Sequence, residues 1–127
     1  MIDKGKTISY WRSHAEYDLE TAQSLFSVKR YPYCLFMCHL AIEKALKALV
    51  VIKTDEHAPY THNLPDLAAR TGLDFTEQQI NLIAELNEFN MEARYPKWHL
   101  DFYAQATESF TKGYLDGTTQ LYLWLTK

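Results

Sequence analysis

The chain has 127 residues, 47% of them hydrophobic and 23% charged, an ordinary globular composition that suits one core over residues 1–127 and is short for two domains. Thirteen basic against sixteen acidic residues leave a net charge of −3 with no basic block, which excludes a general electrostatic grip on nucleic acid and requires any such contact to be local. Cys34 and Cys38 share one apolar run at helical spacing, which suits two buried thiols in a reducing cytoplasm better than a secreted disulfide framework.

The stretch MIDKGKTISYW lacks the apolar centre of a signal peptide, and the longest apolar run, YCLFMCHLAI, is broken by His39 and soon followed by Glu43 and Lys44. No membrane span is expected. Four glycines and four prolines punctuate the chain at long intervals, which favours a few long helices. Trp11, Ala15, Leu19, Ala22 and Phe26 recur at steps of three and four and predict an amphipathic helix from about 8 to 29, with Lys29 and Arg30 at its negative end.

Pro32 suits a first helical turn, and the strong helix formers after it predict a second helix from about 32 to 53. Its apolar residues cover more than one face, so it is expected centrally in a bundle or partly against another subunit. His39, Glu43 and Lys47 fall at i, i+4 and i+8, with Lys44 beside them, on the remaining edge.

A loop over 54–62 and a short helix near 63–71, stopped by Gly72, come next. Thr76 and Gln79 have capping-box spacing, and Ile80, Ile83, Leu86 and Phe89 give the stripe of a helix from about 77 to 93, ending before Pro96. Phe102, Ala106, Phe110, Gly113, Gly117, Leu121 and Trp124 form one continuous helical face nearly to the C-terminus. Gly113 and Gly117 each cost roughly 1 kcal/mol relative to alanine, which predicts close backbone approach by a neighbour. The aromatic residues are assigned mostly to core faces.

Two constellations carry chemistry. In EARYPKWHLDF, Arg94 and His99 are separated by the four residues YPKW. A guanidinium grips phosphate and an imidazole moves a proton, the two needs of RNA phosphodiester cleavage, in which the 2′-hydroxyl loses a proton and the leaving 5′-oxygen gains one. The structural alternative has Arg94 pairing with a carboxylate or capping helix carbonyls. His39, Glu43, Lys44 and Lys47 offer either phosphate contacts or a hydrogen-bonded histidine beside a helix ion pair. His57 and His62, near Asp55 and Glu56, lie in a loop without the fixed geometry a zinc site needs, so neither metal nor other cofactor is expected.

Several stretches taken together, YWRSHAEYDLETAQSLFSVKRY, PYCLFMCHLAIEKALKALVV, THNLPDLA, ARYP and the aromatic last helix, resemble the HEPN (higher eukaryotes and prokaryotes nucleotide-binding) domain family, and in particular its RYP-containing prokaryotic branch. The most specific are HLAIEKALKAL, THNL and ARYP in that order. The resemblance implies an all-α up-and-down bundle of four long helices and one short one, a homodimer, and partnership with a minimal nucleotidyltransferase in a toxin–antitoxin-like pair. It further implies metal-independent endoribonuclease activity in many members, from an arginine and a histidine near the start of the last long helix, the place of Arg94 and His99. Two departures stand beside it: Tyr95 follows the arginine where ribonuclease members usually carry a small polar residue, and Asp101 stands where some toxin members carry a modifiable tyrosine. The expectation is therefore a catalytic pair, Arg94 and His99, acting on RNA. The alternative is a non-catalytic dimer module that binds a nucleotide or partner through His39, Glu43, Lys44, Lys47 and Tyr95.

Overall fold

Asp3 opens the first helix, α1 (Lys4–Ser27), by accepting a hydrogen bond from the Lys6 amide at 3.1 Å. This computed structural model describes residues 2–92 and 94–127, and in it α1 ends earlier than the predicted residue 29. The Lys29 and Arg30 amides bond back to Phe26 and Leu25 carbonyls, with Lys29 at φ 63. That is the paired pattern of a Schellman stop, so the two basic residues form the turn after α1 instead of its last turn.

Pro32 stands in the first turn of α2 (Tyr31–Thr54). The Lys4 ammonium meets the Asp55 carboxylate just beyond the far end of α2, so α1 and α2 run antiparallel over their full length. Helix α2 packs on all five other helices and is buried on several sides, which answers the expectation of a central position.

Asn63 caps α3 (Leu64–Arg70), accepting from the Asp66 amide at 2.8 Å. Gly72 follows with φ 73, and a side chain there would also crowd Lys53, so only glycine fits comfortably. The capping box of α4 (Glu77–Asn87) is formed as its spacing predicts: Gln79 N–H donates to Thr76 Oγ1 at 3.1 Å and Thr76 N–H to Gln79 Oε1 at 2.9 Å.

Three expectations are corrected. Helix α4 stops at Asn87, six residues short of the predicted 93, where partners from three other segments meet its end: the His39 and Arg94 side chains bind the Leu86 and Glu88 carbonyls, and the Leu64 amide donates to the Asn87 side chain; Ala93 itself lies outside the described residues. The last segment is two helices, α5 (Pro96–Gln105) and α6 (Glu108–Leu125), so six helices stand where five are predicted. The break falls at Ala106–Thr107, where the Thr107 hydroxyl accepts from the Phe110 amide and restarts the helix; such local side-chain bonding competes with a continuing ladder. Phe102 and Ala106 stay buried, which is why the apolar spacing runs through the break unmarked. Gly113 faces open space, and only at Gly117 does a neighbour, the Leu82 side chain, come close.

Contacts fix the remaining directions. Tyr114 reaches Glu85 and Gly117 lies against Leu82, so α4 and α6 are antiparallel. Tyr31 at the start of α2 donates to Glu108 at the start of α6 at 3.0 Å, so α2 and α6 run together, with α1 and α4 the other way; the bundle is up-and-down, and no strand occurs among the described residues. The core centres on Leu35, Ile42, Leu46, Leu64, Leu67, Ile83 and Leu86, all fully buried. Tyr10, Tyr17 and Tyr103, all on helices, are exposed and Ile80 is largely so, which corrects the assignment of the helical aromatics and of Ile80 to core faces. No described helix is long and apolar enough to cross a membrane.

Candidate functional site

Pro96 settles where α5 begins: Tyr95 takes the extended cap conformation and Pro96 the first helical position, where its missing amide hydrogen costs nothing. Arg94 therefore stands just outside the helix and His99 in its first turns. The indole of Trp98 lies between them in contact terms. The Arg94 guanidinium sits 4.6 Å from the Trp98 ring centroid, and the His99 ring meets the same indole edge-to-face at 5.4 Å.

Arg94 is fixed on its other side by the end of α4. Nε donates to the Asn90 carbonyl at 2.9 Å and Nη2 to the Glu88 carbonyl at 3.3 Å, so the carbonyl-capping role foreseen for it is real. The Glu88 carboxylate is 3.7 Å away and mostly exposed, a weak addition. The Arg94 side chain remains 31% exposed. His99 is half-buried, and its imidazole makes no hydrogen bond among the described residues. Tyr95 is 82% exposed beside them. Helix α5 has no side-chain cap, so its first amide groups add positive partial charge at the same end.

The α2 residues form a different kind of cluster. His39, Glu43 and Lys47 are buried. Lys47 Nζ donates to Glu43 Oε2 at 3.2 Å and stands 5.0 Å from the Trp11 ring centroid, while His62 Nδ1 donates to Glu43 Oε1 at 2.9 Å. His39 Nδ1 donates to the Leu86 carbonyl at 3.1 Å, and its Nε2 faces Glu43 Oε1 at 3.4 Å. Burial alone would raise the Glu43 carboxyl, but the facing His39 ring, the Lys47 charge and the His62 hydrogen bond outweigh it and bring it down to about 2.

The cluster holds three helices and a loop together, and its three α2 members are buried while His62 covers it from the exposed side. Of the residues singled out in α2, only Lys44 reaches solvent appreciably, and it is paired with Asp18 at 2.6 Å. Asp18 was not among the residues expected to matter, though a carboxylate between Ala15 and Ala22 on an apolar face was the available signal. His62 was weighed only as a metal ligand; no group of metal-binding side chains forms among the described residues, and His62 serves Glu43 instead.

The two constellations meet at one place, the C-terminal end of α4. His39 binds the Leu86 carbonyl, the Leu64 amide donates to Asn87 Oδ1 at 2.9 Å, and Arg94 binds the carbonyls of Glu88 and Asn90.

The fold is shared with a solved protein, described as the crystal structure of TT1696 from Thermus thermophilus. The TM-score is 0.81 over 94% of this chain and 95% of that one, and at 22% sequence identity the likeness speaks for the fold alone. No curated protein matches the sequence. The HEPN domain matches residues 8–120, from the first turns of α1 to near the end of α6. A match over so much of the chain, on a bundle whose second helix, THNL turn and RYP bend all converge on the end of α4, places this protein in the HEPN domain family.

Proposed function

We propose that this HEPN protein acts beside a minimal nucleotidyltransferase in a toxin–antitoxin-like pair, as a homodimer of the RYP-containing branch, and that it cleaves RNA without a metal through Arg94 and His99. The observation that carries the reading is the arrangement around Trp98. An anchored guanidinium and an imidazole with no protein hydrogen-bond partner among the described residues flank one indole, at a helix start that no side chain caps. In the reaction His99 takes the proton of a ribose 2′-hydroxyl, the oxygen attacks the adjacent phosphorus, and the P–O5′ bond breaks. Arg94 and the α5 amides stabilise the charge gathering on the phosphoryl oxygens, and His99 of the second copy protonates the departing 5′-oxygen. The products are a cyclic phosphate and a free 5′-hydroxyl. Cleavage of RNA by pure protein in a metal chelator, lost in both Arg94→Ala and His99→Ala, is the expected result. Equal trace cleavage by wild type and both variants overturns it.

A second reading is favoured by one specific observation. Arg94 already gives Nε and Nη2 to carbonyls, the bonding of a structural cap. In that reading the chain is a non-catalytic dimer module that binds a nucleotide or its partner through Tyr95, Lys44 and Arg94, with His39, Glu43 and Lys47 as their support. A nucleotide that binds the folded state raises the melting temperature by mass action, so a panel at millimolar concentration that leaves it unmoved removes the nucleotide part of this reading.

A further inference from the structure

Among the described residues no hydrogen bond or ion pair joins Arg94 to the buried α2 cluster, yet the two hold neighbouring carbonyls of one short piece of backbone. His39 grips α4 in its last turn, at Leu86, and Arg94 grips the next carbonyls along, at Glu88 and Asn90. The Leu86 carbonyl also accepts from the Phe89 amide at 3.0 Å, and Glu88 and Asn90 belong to the turn that follows α4, so the two side chains clamp the exit from the helix from either side and together bear on where the turn points. Here one of those side chains is the candidate catalytic arginine. The backbone it rests on is set by another, fully buried, on the central helix of the bundle.

We infer that His39 is a positioning residue for Arg94: its Nδ1–H fixes the C-terminal turn of α4, and that turn fixes the guanidinium over Trp98. The Glu43 carboxylate lies 3.4 Å from the opposite edge of the imidazole, and His62 and Lys47 in turn hold that carboxylate, so the order of action runs from the loop before α3, through α2 and α4, to the start of α5. This differs from the phosphate-contacting role expected of the same residues, since none of the buried three touches substrate. Phe36 lies nearly parallel to the His39 ring, at 6.4 Å between centroids and 17° between planes, on one face of the imidazole. The inference rests on the proposed function only for the meaning of Arg94; the linkage itself is geometric.

The direct readout is the Nε–H resonance of Arg94 in uniformly 15N-labelled protein, assigned by its loss in Arg94→Lys. This hydrogen sits in the bond to the Asn90 carbonyl and reports its length. His39→Leu keeps the volume and removes the donor; His39→Asn restores a donor where Nδ1 stood. The expected outcome is a displaced or broadened Arg94 resonance in His39→Leu and recovery toward the wild-type position in His39→Asn. Val50→Ala, about three turns along the same helix, destabilises the core without touching α4's end and is expected to leave the resonance in place. Should His39→Leu fail to fold, Glu43→Gln, close to isosteric, loosens the imidazole and is expected to move the resonance in the same direction. An unmoved resonance in folded His39→Leu, or in Glu43→Gln where that variant is needed, overturns the inference. So does equal displacement by Val50→Ala. If wild type cleaves RNA, kcat of His39→Leu is expected to fall roughly tenfold to a hundredfold with KM little changed. If it does not, the proposed ribonuclease reading fails while the resonance still decides the linkage.

Discussion

Arg94 lies over the indole of Trp98 at 4.6 Å while its Nε holds the Asn90 carbonyl at 2.9 Å, so one side chain joins the end of α4 to the start of α5. Arg94→Ala therefore loses stability as well as activity. Two carbonyl hydrogen bonds and a half-exposed cation–π contact together suggest about 1–2 kcal/mol, read from the urea midpoint at unchanged slope. A midpoint equal to wild type means that the capping bonds do not form in solution.

His99→Ala has the opposite profile. The imidazole makes no hydrogen bond among the described residues and is only half-buried, so the variant should keep its stability within roughly 0.5 kcal/mol while losing RNA cleavage. A large fall in melting temperature would show that His99 is part of the packing and would deprive the activity loss of its meaning.

Glu43 ties stability to pH. Its folded carboxyl, at about 2, lies below its ordinary value of 4.5, so it releases its proton more readily folded than unfolded. The stabilisation is present above about 4.5 and is lost as pH falls from there toward 2. After allowing for partial screening it is on the order of 2 kcal/mol. Urea unfolding between pH 6 and pH 3 should show the fall in wild type and a flatter profile in Glu43→Gln. Glu43→Ala leaves Lys47 and His39 buried without their partner and should cost about 3–5 kcal/mol.

Cys34 and Cys38 lie one helical turn apart on α2; the neighbouring Cys38 thiol draws the Cys34 thiol down, while Cys34 and burial push Cys38 well up. Both are fully buried. A chromogenic disulfide reagent should leave the native protein unlabelled and titrate two thiols once it is unfolded in guanidinium. Rapid labelling of native protein would mean that the α2–α6 seam opens readily.

Gly113 faces open space in mid-helix, with no positive φ to require glycine. Gly113→Ala should therefore raise stability by about 1 kcal/mol through helix propensity alone. Gly117→Ala brings a methyl to 3.4 Å from a Leu82 methyl, ordinary contact with a movable side chain, and should gain less. Destabilisation by Gly113→Ala would reveal a partner on that face.

The sequence by itself determined the helical class and the capping box at Thr76 and Gln79, showed that α2 is buried on more than one side, and carried the resemblance to the family. Each of these is written in local signals: apolar spacing, a cap three residues from its partner, or a motif in order. Tertiary structure alone decided what the polar residues do. His39, Glu43 and Lys47 share a helix edge in any helical reading. Whether that edge meets solvent or the core depends on Trp11, His62 and Leu86, which come from other segments and arrive only through folding. The end of α4 and the break at Thr107 were hidden for the same reason. Apolar periodicity continues through both, and helices stop where hydrogen-bond partners from elsewhere in the chain make stopping favourable. RYP marked the bend before α5, but that its arginine grips the turn leaving α4, just after the carbonyl held by a buried histidine on α2, is a fact of three dimensions.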